Sequence, residues 1–118
     1  MSAGLLNLVI DQGADWYLQI TWNDSNGDPI DITGFTAEMQ MRSLPNATTA
    51  QMTLSTSNGG ITLDGPNGII ELHATATQTG NIDEGPYYYD LEITSPAPQN
   101  IVTRVSQGQA IVSAQVTR

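Results

Sequence analysis

Hydrophobic and polar residues alternate along most of this chain with a period of two, the pattern of strands that bury one face. Leu6, Leu8 and Ile10 open the series. After Gln12-Gly13, Trp16, Leu18, Ile20 and Trp22 fall on one face, with Asp15, Tyr17, Gln19 and Thr21 on the other. Residues 23–29 form a dense turn cluster: Gly27 supplies positive φ, Asp and Asn cap local amides, and Pro29 fixes φ. A short extended piece, Ile30-Asp31-Ile32, closes at Thr33-Gly34. Phe35, Ala37, Met39 and Met41 then point inward against Thr36, Glu38, Gln40 and Arg42, and residues 43–50 read as a mobile polar loop.

Met52 and Leu54 begin the next run, Ser57-Asn58-Gly59-Gly60 is a hairpin signal, and Ile61 and Leu63 lead into a tight turn at residues 64–68. With Ile70, Leu72 and Ala74 following, this stretch reads as a meander. Residues 76–84 lose the alternation, and Thr77 to Gly80 predict one helical turn. Tyr87, Tyr89, Leu91 and Ile93 form the next inner row, and residues 95–100 turn it. Ile101, Thr103 and Val105 make a further strand, Gln107-Gly108 breaks it, and Ala110, Val112, Ala114 and Val116 make a last one that carries the chain to Arg118 in mid-strand. A strand at a terminus must be paired inside its sheet, or its amides fray. No apolar stripe at helical spacing lasts three turns. The pattern therefore predicts an all-β domain of eight or nine short strands, with no long helix, as a sandwich or compact barrel.

Composition narrows this. One domain spanning 1–118 is expected, long enough to bury about two-thirds of its unfolded surface. There is no cysteine, hence no disulfide, thiolate metal site or cysteine nucleophile. The N-terminus has no basic segment and no long apolar run, so neither a signal peptide nor a membrane partner is expected. Twelve acidic residues face three arginines and no lysine, for a net charge of −9. Nucleic acid is not an expected partner, because phosphate binding needs clustered cations.

Candidate chemistry is sparse. Asp24, Asn26 and Asp28 space oxygens as a calcium loop does, with Asp31 on the far side. Pro29, however, stands where the sharp-turn glycine belongs and Phe35 where a glutamate would close the site. No resident metal or other cofactor is expected, and these four are the only metal candidates. His73, the one histidine, lies out of phase with Ile70, Leu72 and Ala74 and so points outward or toward a second layer, with Glu71 as strand neighbour. As a general base it would need a nucleophile in reach or a carboxylate to orient it, and Glu71 reads as ordinary strand decoration. Asp90 and Glu92 share a strand face, but short loops suggest no cleft between them for glycoside chemistry. No catalytic residue is assigned and the chain is not expected to be an enzyme. Tyr17 and Tyr88 lie in the outward phase and would make a contact patch if they shared a face. Arg42 and Arg118 join them as expected partner contacts, because arginine forms planar bidentate pairs at interfaces. Asp90 and Arg104 are expected to face each other across a hairpin centred on residue 97.

Several of these segments occur together in one group of proteins. Pro29-Ile30-Asp31-Ile32-Thr33-Gly34 feeding a strand that ends at Arg42 resembles a recurrent segment of tailed-phage virion proteins. Gly68-Ile69-Ile70-Glu71-Leu72, Gly85-Pro86-Tyr87-Tyr88-Tyr89-Asp90-Leu91-Glu92, residues 104–112 and the close at Val116-Thr117-Arg118 continue in the same order. The chain is similar to small phage structural proteins and to the N-terminal immunoglobulin-like domain of phage baseplate upper proteins. The resemblance implies an immunoglobulin-like antiparallel β-sandwich, made in the host cytoplasm and located in the virion. It further implies a non-enzymatic module of tail, neck, baseplate or capsid surface that docks on other virion proteins and repeats as a symmetric homo-oligomer. Those baseplate proteins continue into a long helical region that this sequence does not contain, so a stalk is not implied. The alternative that the residues themselves allow is a carbohydrate-binding module, calcium-assisted through the 24–31 loop and using the exposed tyrosines.

Overall fold

The computed structural model describes residues 4–117 and is built from two facing sheets. Its elements run β1 (Gly4–Leu5), β2 (Leu8–Asp11), β3 (Trp16–Thr21), β4 (Thr36–Arg42), β5 (Met52–Ser55), β6 (Ile61–Asp64), β7 (Ile69–Ala74), α1 (Ala76–Gly80), β8 (Gly85–Thr94) and β9 (Val102–Ser113). The larger sheet is ordered β1-β9-β8-β4-β5 with β2 also on β9, and the smaller is β3-β7-β6. This is the sandwich-like all-β arrangement that the alternation predicts. Its inner rows are the expected ones: Met39, Met41, Leu54, Ile70, Leu72, Leu91 and Ile93 are almost wholly buried. Each such side chain contributes about 1.5–3 kcal/mol by leaving water.

Four expectations change. The 57–60 turn does not make a hairpin, because β5 lies in the larger sheet and β6 in the smaller. Asn58 shapes it as a crossover, its Oδ1 accepting from the N–H groups of Ser55 and Gly60. The sandwich is not purely antiparallel either, since β1 and β2 both run parallel to β9. They keep one register, Gly4 opposite Ser106 and Leu8 opposite Ala110, and so form one edge strand interrupted at Leu6-Asn7.

The two expected C-terminal strands are one. β9 runs through Gly108, which pairs with Tyr89. Its missing side chain marks a close backbone approach, for a Cβ there would come 2.5 Å from Leu6 O. The strand ends at Ser113, leaving Ala114 and Val116 exposed, and it is paired on both sides by β8 and β1–β2. Finally, Val105 has no partner on β8, because the register shifts between Leu91 opposite Ser106 and Glu92 opposite Arg104. That bulge sets Asp90 and Arg104 diagonal to one another. They still form an ion pair, Nε to Oδ2 at 3.4 Å.

The predicted helical turn is α1, capped by Thr75 and Gln78 in a reciprocal capping box. Thr79, buried on its inner side, donates its hydroxyl to Ala14 O and accepts from Gly13 N, which ties α1 to the β2–β3 turn. No described helix is long and apolar enough to cross a membrane.

Candidate docking face

The outer face of the larger sheet brings both described arginines, an outward tyrosine and exposed apolar side chains onto one surface. Antiparallel pairing sets side chains in rows across it. Pro86, Ile111 and Val9 make one row; Arg42, Tyr88 and Gln109 the next. Gln40, Asp90, Gln107 and Leu5 follow, then Glu38, Glu92 and Arg104. The middle rows floor a shallow groove of about 670 Å³, walled by Pro45 of the 43–50 loop on one side and Leu5 and Asn7 on the other. Both described arginines line it, beside Tyr88 at 38% exposure.

The polar groups on this floor are largely engaged with one another. Arg42 donates from Nη1 to Ala47 O at 2.9 Å and from Nη2 to Gln40 Oε1 at 2.6 Å. Gln40 in turn donates from Nε2 to Glu38 Oε2 at 2.8 Å. Arg104 reaches Asp90 and donates from Nη1 to Gln107 Oε1 at 3.0 Å. Glu38 and Glu92 lie directly opposite each other, a like-charge pairing that an incoming cation would relieve. The Asp90–Arg104 pair is open to water on both sides and contributes under about 1 kcal/mol.

Arg42 is therefore the anchor of the 43–50 loop, which the sequence suggested was untethered. Arg118 lies outside the described residues. Tyr17 and Tyr88 both point outward, but on different sheets, so they form no common patch. Tyr17, 70% exposed, covers His73 on the smaller sheet, rings parallel with centroids 4.3 Å apart. Under it, His73 Nε2 is buried and has no hydrogen-bond partner among the described residues.

The 24–31 carboxylates serve their own turns. Asp24 Oδ1 accepts from the N–H groups of Asn26 and Asp28. Asp31 Oδ1 accepts from the Thr33 hydroxyl at 2.6 Å and from its N–H, and these bonds hold the Asp31 carboxyl below the usual aspartate range, the hydroxyl contributing most. Among the described residues no cluster of three or more His, Asp or Glu side chains is placed to hold a metal ion. Gln40, Gln107, Gln109 and Leu5 are groove residues that strand-by-strand reading passed over. Their signal was present in the outward parity of β4 and β9, but strand order was needed to bring them together.

No protein-family model and no curated protein matches this chain. Among solved structures, it is similar to the N-terminal domain of phage TP901-1 ORF48, at a TM-score of 0.55 and 12% identity. The match covers 96% of this chain and 99% of that one. At this identity the likeness establishes the fold alone.

Proposed function

We propose that this protein is a non-enzymatic structural module of a bacteriophage virion, docking on other virion proteins through the outer face of β1-β9-β8-β4. The observation that carries the proposal is the end-to-end structural likeness to a domain of a phage protein. The ordered series of sequence segments that resembles those of phage virion proteins points the same way. The groove supplies suitable contact chemistry: a half-exposed tyrosine, planar arginine and glutamine groups, and flanking apolar residues at Val9, Ile111 and Leu5. The partner surface that fits carries a cation over the Glu38–Glu92 row at one end of the face. Tail, neck, baseplate and capsid surface are all compatible sites. A sugar-binding role draws less support, since the tyrosines point to opposite sides and the acidic loop is occupied with its own backbone.

The test is electron cryomicroscopy of particles from the phage whose genome encodes the chain, with wild type and Tyr88→Glu compared. Symmetric copies contacting a neighbour through Tyr88 and Arg42, lost in the variant while the isolated domain stays folded, are expected. Absence of the wild-type protein from the particle would overturn the assignment.

A further inference from the structure

We infer that the outer edge of β3 is a self-complementary docking strand, through which two copies of this chain join their smaller sheets into one. This rests on β3 alone and not on the outer-face assignment above.

Trp22 donates its N–H to Gly68 O in the register of the β3–β7 pair, and His73 donates its N–H to Gly60 O on the β6 side. The even-numbered residues of β3 thus bond to β7, and Tyr17, Gln19 and Thr21 turn their N–H and C=O groups away from the sheet. No described strand pairs with that side. In a seven-stranded immunoglobulin-type sandwich a first strand covers this position; here the N-terminal strands lie on β9 of the opposite sheet. A second observation agrees. The inward row of β3, Trp16, Leu18 and Ile20, is only partly buried, while the inward rows of β2, β4 and β7 are buried.

The occupant follows from charge and symmetry. Residues 16–23 carry no acidic or basic side chain in a chain of net charge −9. Exposed edges are normally guarded by charge or interruption; β6 ends on Asp64 and the β1–β2 edge is broken at Leu6-Asn7. A cationic partner has nothing to recognise on β3, whereas a like-charged copy can approach there. An antiparallel pair with its two-fold axis at Gln19 sets Gln19 against Gln19 and Tyr17 against Thr21. All outward-facing donors and acceptors then meet. The same register places Leu18 against Ile20 and Trp16 against Trp22, continuing the inner apolar row.

The experiment uses the full chain in analytical ultracentrifugation, with Gln19→Lys and Gln19→Glu. Each variant sets like charges on the axis and weakens the dimer by about tenfold or more, and an equimolar mixture of the two restores it. A wild type that stays monomeric at every concentration, or variants that dimerise as wild type does, would overturn the inference. Because the chain lacks cysteine, Gln19→Cys gives a check independent of those charge variants. Residues opposite on the axis sit about 5.5 Å apart at Cα, within disulfide reach. Rapid oxidation to a covalent dimer at residue 19, but not in Thr62→Cys on β6, is expected. Equal rates at the two sites would count against it.

Discussion

At the scale of single residues, Tyr89 ties three strands together. Its buried ring lies in the inner row of β8, its hydroxyl donates to Leu6 O at 2.6 Å, and it shares a 2.9 Å hydrogen bond with Ser106. The edge strand, β8 and β9 therefore meet at one oxygen. Burial raises the phenol above the usual tyrosine value against a smaller opposing pull from Ser106. Tyr87 is raised likewise, by burial and then by the negative charge of Asp83. The unfolded chain releases these protons first, so their contribution to stability is full below about pH 10 and is lost as pH rises through the folded values. Tyr89→Phe is expected to cost about 1–2 kcal/mol in urea denaturation at neutral pH. The same variant should show a shallower loss of stability above about pH 10 than wild type does. An unchanged alkaline slope would show that Tyr89 does not govern it.

At the scale of elements, glycines decide how neighbouring segments meet. Gly68 closes the β6–β7 hairpin at φ +64°, and a Cβ there would stand 2.6 Å from Ile30 O and 2.9 Å from Trp22 O. Both obstacles are backbone, so a side chain must push the 22–30 segment away. Gly68→Ala is expected to cost about 2 kcal/mol or more, read as a fall in the urea midpoint. The smaller tight turn at Gly27, which a Cβ would leave unobstructed, gives the contrast. Alternation located eight of the nine described strands, and the α1 turn was visible as a gap in it. What alternation missed came from contacts distant in sequence. Gly108 resembled a break because glycine in isolation signals one; in the sheet it makes room for Leu6. The bulge at Val105 leaves no mark in a period-two reading of β9, and it displaced the expected Asp90–Arg104 register while their side chains still reached each other.

At the scale of the whole molecule, a net charge of −9 acts on the two proposed contacts with opposite sign. Self-association through neutral β3 strands brings two like-charged bodies together, so added salt screens their repulsion. Docking of the Glu38–Glu92 end of the outer face on a cationic partner loses attraction under the same screening. Raising salt from about 0.02 M to about 0.5 M is therefore expected to strengthen the dimer and weaken attachment to the particle. Sedimentation and particle-binding measurements across that range separate the two. Parallel salt responses would show that one of the surfaces is wrongly assigned.

The sequence alone determined which residues turn inward, where most strands begin and end, and that the protein is all-β. Those properties rest on neighbours one or two positions apart, where the pleat imposes its own period. The candidate surfaces were decided only in three dimensions. Tyr17 and Tyr88 share an outward phase yet face opposite ways, because phase fixes a side of a strand and not the sheet to which the strand belongs. Arg42 became a loop anchor because the chain after it folds back to offer Ala47 O. The groove exists because β9, β8 and β4 are adjacent, and the open edge of β3 because the N-terminal strands pair elsewhere. Strand order is set by the packing of the whole core, a property no local segment carries.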